Sequence, residues 1–309
     1  MLKKGWFLIL IPILFISCSN KLPNLPKNIE NKKILNVPYV SQKEYFCGPA
    51  SVLMILKYWH KKGDIKDIPK YDEIIKRLYV PSKKGAYQIE IKSAIRDYNL
   101  LYFEKKTNID EILKAVDKNI PVLVLLNLAF ENYPMWHYAV VSGYDLRKRE
   151  IYLHSRKKYE VLSFYNFYNL HKKANFWTLF IVPNDFDLDF ISKKDFLRTA
   201  VELENAKKYA LAIKAYLNFL KKYPNDKDLL FGLANCYFLS KKYKKAKNIY
   251  LKIINIENDP LVYNNLALTY LNLRECNNAK EAIFKAMNLD KKNSKIYKST
   301  LEEILKKCR

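Results

Sequence analysis

Four columns of residues in the C-terminal third of the chain recur in one register, and no other feature restricts the fold as tightly. Ala200, Ala234 and Ala267 stand 34 and 33 residues apart, and Leu203, Tyr237 and Tyr270 keep the same spacing. Ala212, Ala246 and Ala279 follow in step, then Tyr216, Tyr250 and Ile283. A unit of this length cannot bury its apolar face alone, so neighbouring copies must stack into a continuous core. Strand signals stop after Pro183 and the helical period takes over, so each unit is built of helices, with small residues where paired helices approach closely.

The period, the small residues and the prolines at Pro224 and Pro260 near unit ends resemble the tetratricopeptide repeat. Three copies are expected at about 193–226, 227–259 and 260–293, with 294–307 as a terminal helix covering the last open face, so that residues 193–309 form an all-α solenoid. The resemblance implies a concave surface for a peptide or a partner protein, and no catalytic chemistry.

Residues 34–183 read differently. Helical signals at 48–59, 71–79, 89–98 and 110–116 precede strand signals at 121–127, 138–144, 151–154, 159–162 and 177–182, rich in Val, Ile, Leu and aromatics. Asn108 followed by Glu111 has the spacing of a capping box at the start of the fourth helix. Helices first and consecutive strands later predict an α+β domain with an antiparallel sheet.

The net charge of +24 raises the question of an acidic partner. The excess is almost all lysine, 47 Lys against 8 Arg, whereas groove and base readers lean on arginine. It is also spread over both halves, with 25 basic and 12 acidic residues in 193–309. A lysine-rich solvated surface is therefore expected, and no nucleic-acid partner.

At the N-terminus, Lys3 and Lys4 precede an apolar run from Trp6 to Ile16, too short to span a bilayer comfortably. Phe15-Ile16-Ser17-Cys18 resembles a bacterial lipobox, departing from it in having Phe15 where Leu is commonest. The resemblance implies a signal peptide over 1–17, lipidation of Cys18, and a cell-envelope, extracytoplasmic, membrane-anchored protein, in the outer membrane if the host is diderm. Residues 18–33 are polar and proline-punctuated and read as a tether. Cys47, Cys236, Cys276 and Cys308 then remain, in no framework pattern of disulfides.

Cys47 carries the chemistry. It opens a strongly apolar helical run and is followed by Gly48 and Pro49, proline being favoured in a first helical turn. Free amide N–H groups and the helix dipole at such a position favour a thiolate and lower the thiol pKa. Gln42, five residues upstream, is placed to fold its amide back toward the sulfur as an oxyanion donor. His137 begins an apolar strand, so its imidazole is expected at the sheet's end, facing a helix start, as general acid and base. His60, His154 and His171 sit in less suitable places.

Gln42, Cys47-Gly48-Pro49-Ala50 and His137-Tyr-Ala-Val-Val together resemble the papain-like cysteine peptidases of the bacteriocin-processing, double-glycine-leader type. The resemblance covers roughly 33–183 and implies a helix packed on an antiparallel sheet, with Cys47 as nucleophile, His137 as acid and base, and Gln42 as oxyanion donor. The family's usual Asp on the following strand is replaced: Ser155 stands there, and Asp145 is the nearest acidic alternative for orienting His137. No Cys/His spacing resembles zinc ligation and no glycine-rich phosphate loop appears, so no metal or other cofactor is expected. The sequence thus predicts a membrane-anchored cysteine peptidase whose repeats hold a peptide or protein substrate or a partner. The alternative is a non-catalytic lipoprotein adaptor.

Overall fold

The computed structural model describes residues 25–185, 190–292 and 294–308. Cys18, the segment 1–17 and most of the tether lie outside the described residues.

The first helix, α1 (Cys47–Lys62), is the axis of the N-terminal domain. Every residue from Gly48 to Leu56 is buried, as expected of a helix that is apolar all round. It ends at Gly63, whose φ of 87° places it in the left-handed region that glycine enters without strain, with His60, Lys61 and Lys62 on the last turn. The helices α2 (Tyr71–Leu78), α3 (Gln88–Asp97) and α4 (Ile109–Asp117) follow. Asn108 is the N-cap of α4, but the expected capping box is not formed. Glu111 instead accepts from Thr107 Oγ1 at 2.6 Å and binds Lys105, which takes its side chain away from the cap.

The sheet is antiparallel throughout. Its strands are β1 (Lys32–Ile34), β2 (Leu101–Lys106), β3 (Val122–Asn127), β4 (Trp136–Asp145), β5 (Glu150–His154), β6 (Glu160–Ser163) and β7 (Trp177–Val182), with α5 (Phe164–Lys172) between the last two. The order is β2-β7-β3-β4-β5-β6, and β1 pairs with the end of β4. β1 shortens the tether expected over residues 18–33. Lys32–Ile34 pair with Gly143–Asp145, and the Glu30 amide donates to Asp117 Oδ1, so the folded domain starts a few residues earlier. Gly143 makes this possible, since a Cβ there would stand 2.7 Å from the Lys33 carbonyl oxygen.

β2 was not foreseen either. It is an edge strand whose second half, Glu104-Lys105-Lys106, reads as polar, and it is covered by the first helix of the C-terminal half, α6 (Lys193–Asn205). Thr199 Oγ1 donates to the Tyr102 carbonyl and Arg198 to the Glu104 carbonyl, so side chains of α6 bond the exposed backbone of the edge. Beneath them Lys92, almost fully buried, reaches Glu104 at 2.8 Å and Glu202 at 3.2 Å.

The helices α7 (Tyr209–Lys222), α8 (Lys227–Leu239), α9 (Tyr243–Ile254), α10 (Pro260–Asn272) and α11 (Cys276–Leu289) complete three helix pairs, and α12 (Ser294–Lys307) closes the stack. Ser192, Asp226 and Asp259, themselves 34 and 33 residues apart, each cap the first helix of a pair by accepting backbone N–H groups. All the alanines of the repeat columns are fully buried. Cys276 and Cys308 form a disulfide that ties the end of α12 to the start of α11, a pairing the spacing alone did not reveal.

One close approach in the solenoid is testable. A Cβ on Gly232 would stand 2.2 Å from Tyr216 Oη and 2.3 Å from its Cζ. The Tyr216 ring is buried, packs edge-on against Phe196 and donates to Glu204 at 2.7 Å, so it has little room to withdraw. Gly232→Ala is expected to destabilise the repeats by about 1–3 kcal/mol, despite alanine's better helix propensity. A chemical denaturation midpoint equal to that of the parent chain would show that the ring yields freely.

Candidate active site

Cys47 and His137 line one cleft of about 1180 Å³, together with Gln42. Phe46 is the N-cap of α1, so Cys47 stands in the first turn, and Pro49 costs nothing there because first-turn N–H groups have no intrahelical partner. A Cβ on Gly48 would lie 2.7 Å from the Ala86 Cβ, so the glycine lets the segment after α2 close over the nucleophile's turn. His137 is the second residue of β4, paired with Leu126, and half-buried.

Burial pushes the Cys47 thiol up, while backbone groups of Tyr138, Gly48 and Cys47 itself pull it down, and burial prevails. The expected lowering by the helix start is therefore present but outweighed by burial. Burial also holds the His137 imidazole down to about 4, with the Arg156 charge acting the same way and Glu160 opposing both. At neutral pH the site thus contains a thiol and a neutral imidazole.

No hydrogen bond joins Cys47 to His137 among the described residues. His137 Nε2 instead lies 3.4 Å from Gln42 Nε2, and the same amide donates to the Ser155 carbonyl at 3.1 Å. Gln42 Oε1 is buried without a hydrogen-bond partner among the described residues. Gln42 was expected to turn its amide toward the sulfur; its donor group is turned instead to the imidazole and the Ser155 backbone.

The expected orienting residues fare differently. Ser155 is buried beside the site and acts through its carbonyl on Gln42; no hydrogen bond links its side chain to His137. Asp145 is corrected outright. It lies eight residues along β4 from His137, about 26 Å at the rise of an extended strand. There it accepts the Lys148 amide in the β4–β5 turn and faces Lys32 at 3.9 Å. The carboxylate whose charge raises the His137 pKa is that of Glu160, at the start of β6, a smaller effect than the opposing charge of Arg156. Glu160 pairs loosely with Arg156 at 3.7 Å, and its Oε2 is buried without a hydrogen-bond partner among the described residues. An acidic residue opening the strand after β5 was the available signal.

The other histidines serve structure. His154 Nε2 lies 2.9 Å from the Val37 carbonyl, and His171 Nε2 lies 3.1 Å from both the Trp177 carbonyl and Thr178 Oγ1. Burial holds His171, like His137, down to about 4. A histidine whose folded pKa lies below its unfolded value near 6.5 binds protons preferentially in the unfolded chain. Stability is then full above pH 6.5 and falls as pH drops from 6.5 toward 4. Thermal melts are expected to show this loss, reduced in His171→Gln; a melting temperature flat across that window would contradict the assignment.

Residues 34–180 match the family model of the Peptidase_C39 like family, and residues 205–269 match that of the tetratricopeptide repeat. The chain carries a Peptidase_C39-like domain followed by tetratricopeptide repeats. Curated proteins contain no match to it. Among solved structures, the Sgt2 TPR domain from Aspergillus fumigatus is similar at 22% identity, covering 37% of this chain and 77% of that one, with a TM-score of 0.35. The Yersinia enterocolitica type III secretion chaperone SycD, in complex with a peptide of the translocator YopD, is 21% identical over 40% of this chain and 100% of its own, with a TM-score of 0.36. The first TPR domain of human RPAP3 is 18% identical, covers 36% and 88%, and has a TM-score of 0.35.

Proposed function

We propose that the chain is a cysteine peptidase, held on the outer face of a bacterial membrane by lipid on Cys18, whose repeats hold its substrate or a partner protein. The observation that carries the catalytic part is the meeting of Cys47, at the first turn of a buried helix, with His137 in a single cleft of a Peptidase_C39-like domain. The Cys276–Cys308 disulfide supports export, because such bonds persist in oxidising compartments. A diderm host would place the anchor in the outer membrane.

In the reaction, His137 takes the Cys47 proton as the sulfur attacks the peptide carbonyl carbon. The carbonyl π electrons move to oxygen, and the Cys47 amide with the Gln42 side chain receives that oxyanion. Collapse expels the amine, which collects the proton from His137 and leaves a thioester. Water, deprotonated by His137, then cleaves the thioester and restores the thiol. The first step requires His137 to exchange Gln42 for Cys47, which frees the Gln42 amide for the oxyanion. The charge of Glu160 favours the imidazolium formed on the way, and that of Arg156 opposes it.

A second reading, a peptide-binding adaptor, is favoured by the missing Cys47–His137 hydrogen bond and the raised thiol. A thiol-directed peptidase probe separates the two. The enzyme predicts labelling of Cys47 well above that of an unstructured thiol, lost in His137→Ala; reactivity no greater than a free thiol in both would favour the adaptor.

A further inference from the structure

The loop joining β3 to β4, with the first residue of β4, shows large apolar side chains to water. Phe130, Tyr133, Met135 and Trp136 are 77%, 81%, 58% and 51% exposed. The loop is nevertheless tightly held. Asn127, 1% exposed, accepts the amides of Ala129 and Met135 on Oδ1 and donates from Nδ2 to the Phe130 carbonyl. Lys173 Nζ bonds the Ala129 carbonyl, and the Leu128 amide donates to the Met135 carbonyl. A buried asparagine committed to three loop bonds fixes an apolar surface in place, where ordinary packing would hide it.

That surface enters the cleft. Met135 and Trp136 line it next to His137, and Tyr87 and Ile89, also exposed, belong to its lining. The charge of the lining is one-sided. It includes Lys43, Lys83, Lys84, Lys106, Arg156 and Lys173 against Glu44 and Glu104, and Glu104 is already engaged by Lys92 and by Trp177 Nε1. Lys83 and Lys84 stand 5.7 and 5.6 Å over the rings of Tyr87 and Tyr45, which keeps cation and aromatic side by side.

We infer that the cleft selects an extended peptide in which a large apolar residue, seated on Met135 and Trp136, is flanked by acidic residues that meet the lysines. This rests on the peptidase reading for what happens next, but not for binding. The apolar residue removes Met135 and Trp136 from water, and the flanking carboxylates meet lysines that have no carboxylate partner among the described residues.

The test uses the full chain carrying Cys47→Ala, so that binding is measured without cleavage. The probes are a short fluorescent peptide with one Phe between glutamates, and counterparts with Ser for Phe, Gln for Glu, or Lys for Glu. The acidic Phe peptide is expected to bind at least about tenfold more tightly than each counterpart, with affinity falling as salt rises. Met135→Ala with Trp136→Ala should erase the preference for Phe, and Lys43→Glu with Lys84→Glu should turn the charge preference toward lysine. Circular dichroism checks that both variants fold; should either fail, Met135→Ser or Lys84→Ser alone provides the same comparison. Equal binding of all four peptides overturns the inference, even if the wild-type chain cuts them. Loop variants that alter binding to phosphatidylglycerol vesicles but not to peptides overturn it in favour of a membrane-contacting loop. Selective binding without cleavage by the wild-type chain upholds it and counts against the peptidase.

Discussion

Replacing Cys47 by Ala is expected to abolish peptide hydrolysis, a loss of at least about a thousandfold for removal of an attacking group. The fold should survive. Cys47 is only partly buried and stands in the first turn of α1, where alanine fits the helix, so the melting temperature should stay within a few degrees of the parent. His137→Ala should cost nearly as much, because thiol and imidazole act as one unit and their losses are not additive. Gln42→Ala has a different signature. It deprives the oxyanion of one donor and should lower kcat by about a hundredfold or more. It also removes the group now lying on His137, so labelling by a small alkylating reagent should not fall with it.

The second large effect is at the junction of the domains. Lys92→Met removes the cation lying between Glu104 and Glu202, leaving two partly buried carboxylates facing each other. Breaking such a group by removing one partner costs several kcal/mol when it is buried. Because each carboxylate remains about one-third exposed, roughly 2–4 kcal/mol is expected here. For a chain of this size that is a drop of several degrees in melting temperature.

The damage should also reach the cleft. Burial pushes the Glu104 carboxyl up, but hydrogen bonds from Lys92 and Trp177 bring it below its usual range. A carboxylate lowered in this way stabilises the fold above its unfolded pKa, and that contribution disappears as pH falls through the folded value. Lys92→Met should flatten this acid dependence and loosen Trp177, which packs edge-on against Tyr138 next to His137. Melting curves at neutral and acid pH, with kcat/KM alongside, measure all three effects. An unchanged melt would show that the carboxylates find water or protons at no cost.

How far the sequence revealed these features depended on whether they repeat or stand close together along the chain. The helix pairs were legible because alanine is needed wherever paired helices touch, and the same demand returns every 33 or 34 residues. Cys47 was legible because Gly48, Pro49 and an apolar run give its turn a local signature. β2 was not, since Glu104, Lys105 and Lys106 look solvated until Lys92 and α6 are brought against them. The Cys276–Cys308 bond was hidden for a similar reason: it joins the two ends of a helical hairpin whose turn must be known first. Asp145 stands near His137 in the sequence but at the far end of an extended strand, and Glu160 lies on the second strand after that of His137, a proximity that only the sheet order reveals. Asn127 gave no sign of holding a loop, because its three bonds go to backbone up to eight residues on.

In the proposed reaction Cys47 forms a covalent bond with substrate. It is tested most directly by mixing the full chain with an excess of an activated peptide ester, quenching in acid within the first turnovers, and weighing the intact protein. The expected result is a mass gain equal to the acyl portion less the displaced hydrogen, localised to Cys47 by digestion and absent from Cys47→Ala. Peptide product without an adduct, the same turnover in Cys47→Ala, or neither product nor adduct would contradict it.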